Sequence, residues 1–224
     1  MGTRHTNRRT TRKYLISAGL IVAVLLYVLL VRLVEDIGPE SKPGDRFVVW
    51  RVLDGDTMEL KGGDRLRLLT IDTPEKDEPY YNEATALLTR LAFKRLGQIE
   101  YAGQRRDKYG RLLGYLFVDD TLFVNRVLID SGLANIYLFD DSELNNPRVR
   151  ELIEAQRSAM ARKVGVWSLP RAPEPYYVNK PGSFRLHRPG CRAIQHLRPG
   201  QYRTFDTREE GLAEGLSPCR ICKP

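Results

Sequence analysis

Two tight turns within residues 47–70 constrain this chain more than any other feature. The stretch reads FVVWRVL, Asp54-Gly55-Asp56, TMELK, Gly62-Gly63-Asp64, RLRLLTI. Runs of high β propensity broken by Asp-Gly and Gly-Gly turns predict consecutive antiparallel hairpins, because such turns match the twist of the strands they join. EATALLTRLAFKRL (83–96) then places Leu87, Leu88, Leu91 and Leu96 near helical spacing, with Gly97 past the end. QIEYAGQ (98–104) and RLLGYLFV (111–118) predict a second strand pair around the turn Asp107-Lys108-Tyr109-Gly110. LFVNRVLIDSG (122–132) reads as a helix closed by Gly132. Asn146-Pro147 caps a third, with Val149, Leu152, Ile153 and Met160 inward and Gly165 beyond its end. The chain is thus mainly β with helices, and five short strands with three helices fit a small closed barrel of the OB type.

Ahead of this domain lies LISAGLIVAVLLYVLLV (15–31), which holds no charge. At about 1.5 Å per residue such a helix just spans a hydrocarbon core of about 30 Å, provided Lys13 and Arg32 reach outward and Leu33 and Val34 help. A cleaved signal peptide would end in a small-x-small site, and RLVEDIGPESKPG, which follows, contains none. A buried core helix would need neighbours that 1–46 does not supply. Residues 14–34 are therefore expected to be a transmembrane anchor in the lipid bilayer. Arg4, Arg8, Arg9, Arg12 and Lys13 before it put the basic tail 1–13 in the cytoplasm and the rest of the chain outside the cell membrane. Residues 35–46 form a linker rich in turn formers.

The net charge of +8 suggests nucleic acid, but its distribution removes that argument from the main domain: residues 1–34 carry +6, 171–224 carry +5, and 35–170 carry −3. Steering by a broad basic surface is not the domain's binding device, so nucleic-acid contact must rest on a local site.

Such a site can be assembled from turns and strand ends. Asp56 follows a tight turn, Arg67 lies in a strand, Asp72-Thr73-Pro74-Glu75 comes next, and Arg111 follows Lys108-Tyr109-Gly110. Phosphodiester hydrolysis needs a group to activate water, cations to hold phosphoryl charge, and often a metal. Two carboxylates and a carbonyl make a hard oxygen site suited to calcium or magnesium, and two arginines can clamp a phosphate through forked donors. Each element alone has an ordinary meaning as a hairpin turn, a helix cap or a solvated strand arginine.

Taken in order, VLDGDTMEL, RLRLLTIDTPE, RRDKYGRLLGYLF and GVWS resemble the staphylococcal nuclease (thermonuclease) family over about 47–168. The resemblance implies a five-stranded OB barrel with three helices and endonucleolytic cleavage of DNA and RNA that leaves 3′-phosphates. It implies Ca²⁺ on Asp56, Asp72 and the Thr73 carbonyl, supported from behind by Asp54 and Thr57. Glu75 would be the general base, with Arg67 and Arg111 holding the phosphate. Lys108 and Tyr109 would touch a terminal phosphate, and Tyr137 would line the nucleotide pocket. Two departures stand out: Phe139 replaces the family's second pocket tyrosine, and the loop KDEPYYN after Glu75 is shorter and more acidic than in the secreted nucleases.

Prolines 170, 173, 175 and 181 mark residues 169–182 as a linker before a small lobe, 183–224. His187-x3-Cys191 and Cys219-x2-Cys222 give four-ligand Zn²⁺ spacing, against a disulfide that would strand one thiol; His196 is a competing ligand. HRPGC and FDTREEGLAEGLSPCRICKP resemble the metal-binding domain of the Ada DNA-repair protein, with His187 at the position of that family's first cysteine. No organic cofactor is implied. Two other readings stand beside the nuclease: a catalytically silent nucleic-acid-binding barrel, and a tethered zinc protein whose lobe binds DNA or a partner.

Overall fold

The computed structural model describes residues 24–27 and 46–224, and 46–224 belong to one compact unit. The anchor expected at 14–34 lies outside the described residues except for 24–27, which are helical; among the described residues no helix is long and apolar enough to cross a membrane.

Strands β1 (Arg46–Val52), β2 (Thr57–Leu60) and β3 (Arg65–Leu68) are the predicted hairpins. Each pairs antiparallel with the next. β1 also pairs with β5 (Leu96–Glu100), and β5 with β6 (Leu112–Val118). A parallel pairing of β3 with β6 closes the five strands into a barrel, leaving no free edge among them. Met58, Leu66, Leu68, Leu112 and Leu116 fill the interior, while Tyr115, on the other face of β6, is buried against Phe123.

Three helices cover the barrel: α1 (Tyr81–Ala92), α2 (Val124–Asp130) and α3 (Pro147–Arg162). Helix α1 ends four residues earlier than the leucine spacing predicts. Phe93 turns extended at ψ 126°, and Leu96 begins β5 instead, paired with Val48. The sheet claims this backbone because Gly97 lies flat against the Phe47 ring, where a Cβ would come within 3.0 Å. β6 also pairs with the short β7 (Leu122–Phe123), and the short strands β4 (Ile71–Asp72) and β8 (Asn135–Ile136) pair with each other.

The C-terminal residues depart from the expectation of a separate lobe behind a linker. Tyr177–Asn179, inside the expected linker, form buried strand β9, flanked by β10 (Arg185–His187) and β11 (Arg203–Phe205); β12 (Ser217–Pro218) pairs with β10. Tyr177, Phe184, Leu186, Phe205, Leu212 and Leu216 join the barrel's own core cluster, Leu212 from helix α4 (Arg208–Ala213). The joint is also polar. The fully buried Gln156 of α3 accepts from the Ile136 N–H at 2.8 Å and donates to the Leu212 carbonyl at 2.7 Å, while the Ser217 hydroxyl donates to the Ile136 carbonyl at 2.6 Å. Apolar side chains between the prolines make the difference: once β9 enters a sheet, its backbone and rings bury with the rest.

Candidate active site

The cleft is built on rigid backbone. The loop after β3 is held by the Leu69 N–H on the Gly114 carbonyl at 3.0 Å and by the buried Asn125 side-chain amide on the Leu69 carbonyl at 3.0 Å. The Thr70 and Tyr115 hydroxyls meet at 3.0 Å. Pairing of Asp72 with Asn135 then fixes where the Asp72 carboxylate emerges. Gly55 permits the approach of the opposite turn, since a Cβ there would fall 2.7 Å from Ala84 Cβ and from Thr73 Oγ1.

These elements bring most of the expected residues together. Asp54, Asp56, Thr57, Arg67, Asp72, Thr73, Glu75, Arg111, Tyr137 and Phe139 all line one cleft of about 480 Å³. Arg67 Nη2 lies 3.1 Å from Asp56 Oδ2 and 3.2 Å from Asp72 Oδ1, while its Nη1 donates to the carbonyls of Leu68 and Ile71. Asp56 Oδ2 also accepts from the Thr73 N–H and hydroxyl, each at 3.1 Å, and its Oδ1 accepts from the Thr57 hydroxyl at 3.0 Å. Burial pushes the Asp72 carboxyl above its usual range, although nearby arginines oppose that. Burial, then the Asp56 charge, does the same to Asp54. Paired carboxylates held in this way are relieved by a cation, and their all-oxygen chemistry fits Ca²⁺.

Lys108 and Tyr109 stay on the exposed tip of their turn, outside the cleft lining; Lys108 Nζ lies 5.1 Å from the centre of the Tyr109 ring. Phe139 is exposed and meets Tyr137 edge-on with ring centres 5.2 Å apart, so the pair keeps an aromatic face without a second hydroxyl. The acidic loop holds Glu75 in its own way: the Glu75 N–H donates to Glu78 Oε2 at 2.8 Å, and Glu78 pairs with Lys223.

Three contributions escape sequence reasoning. Asp107 grips Arg111 at Nε (2.8 Å) and Nη2 (2.7 Å) while accepting from the Tyr109 and Arg111 N–H groups. Burial alone would raise its carboxyl, but those bonds hold it below the usual range. The aspartate opening a tight D-x-x-G turn was the only available signal. Arg185 stacks 3.6 Å from the centre of the Tyr137 ring, and Arg220 reaches Asp72; neither carries a local signature.

In the C-terminal segment, ligand atoms of His187, Cys191, Cys219 and Cys222 lie within 4.8 Å of one another. A tetrahedral zinc with sulfur at about 2.3 Å would space its sulfurs by roughly 3.7 Å, and the Cys191 and Cys219 Sγ atoms lie 4.0 Å apart. All three cysteines are free, and His187 Nδ1 is buried with no hydrogen-bond partner. Burial pushes the Cys222 thiol up to about 12 and lowers the His187 imidazole. The donor set therefore fits Zn²⁺, with His187 in the ligand group and His196 exposed and outside it.

Comparison with known proteins agrees with this geometry. The family model for "Staphylococcal nuclease homologue" matches residues 65–169. A thermonuclease of Staphylococcus intermedius is 33% identical over 171 residues, covering 69% of this chain and 98% of that protein. A thermonuclease of Staphylococcus hyicus is 31% identical over 169 residues, covering 68% and 98%. An uncharacterized endonuclease of Escherichia coli O157:H7 is 34% identical over 123 residues, covering 54% and 75%. A closed five-stranded barrel, its charged cleft and these relatives lead to one conclusion: the chain belongs to the staphylococcal nuclease family and is a nuclease, a hydrolase of nucleic acid.

Proposed function

We propose that this nuclease is a Ca²⁺-dependent endonuclease that cleaves DNA and RNA and leaves 3′-phosphates. The observation that carries the reading is the convergence of Asp56 and Asp72 on Arg67 Nη2, at 3.1 and 3.2 Å, with Glu75 and Arg111 on the same cleft. Asp56, Asp72 and Thr73 would hold the ion. When bound, Ca²⁺ supplies positive charge against the negative charge that develops on the phosphoryl oxygens.

Glu75 is exposed to water at the cleft, and its carboxylate takes the proton of the attacking water. The water oxygen bonds to phosphorus as the bond to the 5′-oxygen breaks. The leaving 5′-oxygen takes a proton from solvent water, and the phosphate stays on the 3′ side. Arg111, oriented by Asp107, and Arg67, anchored on two carbonyls, hold the phosphoryl oxygens through forked donors. The silent-binding alternative would not need a water-accessible carboxylate beside two such arginines.

Two further parts belong to the same proposal. Residues 14–34 tether the enzyme to the cell membrane, with the N-terminus cytoplasmic and the nuclease outside, and His187, Cys191, Cys219 and Cys222 hold a structural Zn²⁺ in an Ada-like lobe. The uncharged run at 15–31 and the buried, unpartnered His187 Nδ1 support them.

The decisive experiment is digestion of plasmid and RNA by the purified full chain, with Ca²⁺ and then with excess chelator. Cleavage should vanish on chelation, and end analysis should show 3′-phosphates. Full activity in chelator would remove the metal assignment. Protease added outside intact cells should degrade the barrel, and its survival would place the enzyme inside.

A further inference from the structure

The Cys219-x2-Cys222 turn delivers an arginine to the nuclease cleft. Arg220 Nη2 lies 2.6 Å from Asp72 Oδ1 and 3.5 Å from Glu75 Oε1, with its guanidinium 5.2 Å from the centre of the Tyr137 ring. The same Asp72 oxygen lies 3.2 Å from Arg67, so two guanidinium groups converge on one atom. The Arg220 side chain is 54% exposed, so donors beyond the one used on Asp72 remain open to whatever enters the cleft.

Its position is fixed from several sides. The Cys219 N–H donates to the Leu186 carbonyl at 2.9 Å, the Lys223 N–H to the Cys219 carbonyl at 2.8 Å, and the Arg188 N–H to Cys222 Sγ at 3.3 Å. β12, just before, pairs with β10, which carries His187. Arg220 is thus held by the metal-ligand cluster and points away from it.

Charge explains why an arginine is needed there. The cleft is lined by Asp54, Asp56, Asp72, Glu75 and Asp107, against Arg67, Lys76 and Arg111 from the barrel. The segment 35–170 carries −3, so the barrel itself supplies no net positive charge to compensate. As a structural ion pair alone, Arg220 would contribute modestly, because its own side chain is half exposed and Asp72 also has Arg67. A polyanion entering a carboxylate-rich cleft gains far more from it.

We propose that Arg220 is a phosphate-binding residue of the nuclease site, supplied by the C-terminal knuckle and directed at the phosphodiester backbone of the substrate. The inference rests on the nucleolytic reading above. When substrate binds, Arg220 turns donors from Asp72 to a phosphate oxygen, as Arg67 does from the other side.

The test compares full-length wild type with Arg220→Ala, Arg220→Gln and Arg220→Lys. In Ca²⁺, the alanine and glutamine variants should raise KM about tenfold with a smaller change in kcat. In Ca²⁺-free buffer without chelator, which leaves zinc in place, anisotropy of a labelled, cleavage-resistant phosphorothioate single strand should show about tenfold weaker binding. The slope of log K against log salt should fall by about 0.7, the share of one phosphate contact on a single strand. Arg220→Lys should restore that slope while recovering only part of the affinity, because it lacks the fork. Circular dichroism and zinc content should match wild type, and the glutamine variant carries the test if the alanine variant does not fold. Unchanged Kd and slope would overturn the assignment. So would higher affinity or turnover in the alanine variant, which would make Arg220 a block on the site. A wild-type enzyme indifferent to Ca²⁺ would count against the proposed mechanism alone, because the binding arm reads Arg220 without Ca²⁺ and on a strand that is not cleaved.

Discussion

The barrel cleft and the C-terminal knuckle both gather cation-binding groups, and they do so by opposite means. In the cleft the donors are carboxylate oxygens on strands and a loop whose backbone is already fixed by pairing, and the site opens to water. In the knuckle the donors are sulfur and nitrogen, three of the four residues are buried, and the apolar cluster around them is small: Val178, Cys191, Ile194 and Cys219 at its centre. The cleft exists because the barrel folds. The knuckle has too few apolar side chains to hold itself, so its ligands must contribute to folding. Loss at the first region should therefore be felt in chemistry, and loss at the second in structure.

The largest effect tests the first half of that contrast. Glu75→Gln and Arg111→Ala should each lower kcat by at least ~10²-fold, the scale of one lost acid–base or electrostatic group, with unchanged circular dichroism. If both variants keep near-native turnover, the mechanism does not apply here.

Removing zinc, or making Cys219→Ser, tests the second half and sharpens it. Order should be lost in 183–224, with a lower Tm. Because Leu186, Leu212 and Leu216 share the barrel's core, and Arg220 shares its cleft, activity should fall as well, by roughly tenfold if the lost phosphate contact dominates. Metal analysis decides the premise: no zinc, together with a cysteine disulfide in the mass spectrum, would sink it.

Gln156→Leu probes the seam between the two regions. It strands the buried Ile136 N–H, while the Leu212 carbonyl keeps the Gly215 N–H at 3.1 Å, so the cost is about 1–3 kcal/mol. Thermal unfolding should shift down by several degrees while kcat stays within a few-fold of wild type. A neutral result would mean that water replaces the amide.

The smallest effect concerns Asp107. Its carboxyl is held below the usual range, so its stabilisation is fully present above the unfolded value of about 3.9 and is lost only as pH falls through the lower folded value. Unfolding of wild type and Asp107→Asn, compared from pH 7 to 3, should differ by a constant amount at neutral pH and converge only below about pH 4. Convergence already at pH 6 would mean that another group carries the difference.

How much of this was legible follows from the range over which each signal acts. The hairpins were readable because turn chemistry and strand alternation operate over a few residues, and β1 to β3 appear where those signals put them. Asp56, Arg67, Asp72 and Glu75 were readable because all four lie within twenty residues, on closely spaced turns and strands of specific composition. The end of α1 was misread because leucine spacing continues past Ala92, and only pairing with β1 makes Leu96 a strand residue. Prolines alone marked 169–182 as a linker, yet Tyr177 to Asn179 are a buried strand, since their partners lie in β10 and β11.

By itself, the sequence determined a closed small barrel, an acidic and arginine-bearing cleft, and a four-ligand His/Cys cluster, all written in short segments whose backbone preferences are local. Tertiary structure alone decided that the two charged regions are one site. Arg220 stands 148 positions from Asp72, and no propensity, turn or spacing acts over that distance. Only the folding of β9, β10 and β12 onto α3 and β8 brings the two together, because burial of apolar side chains depends on which surfaces meet and not on where they lie along the chain.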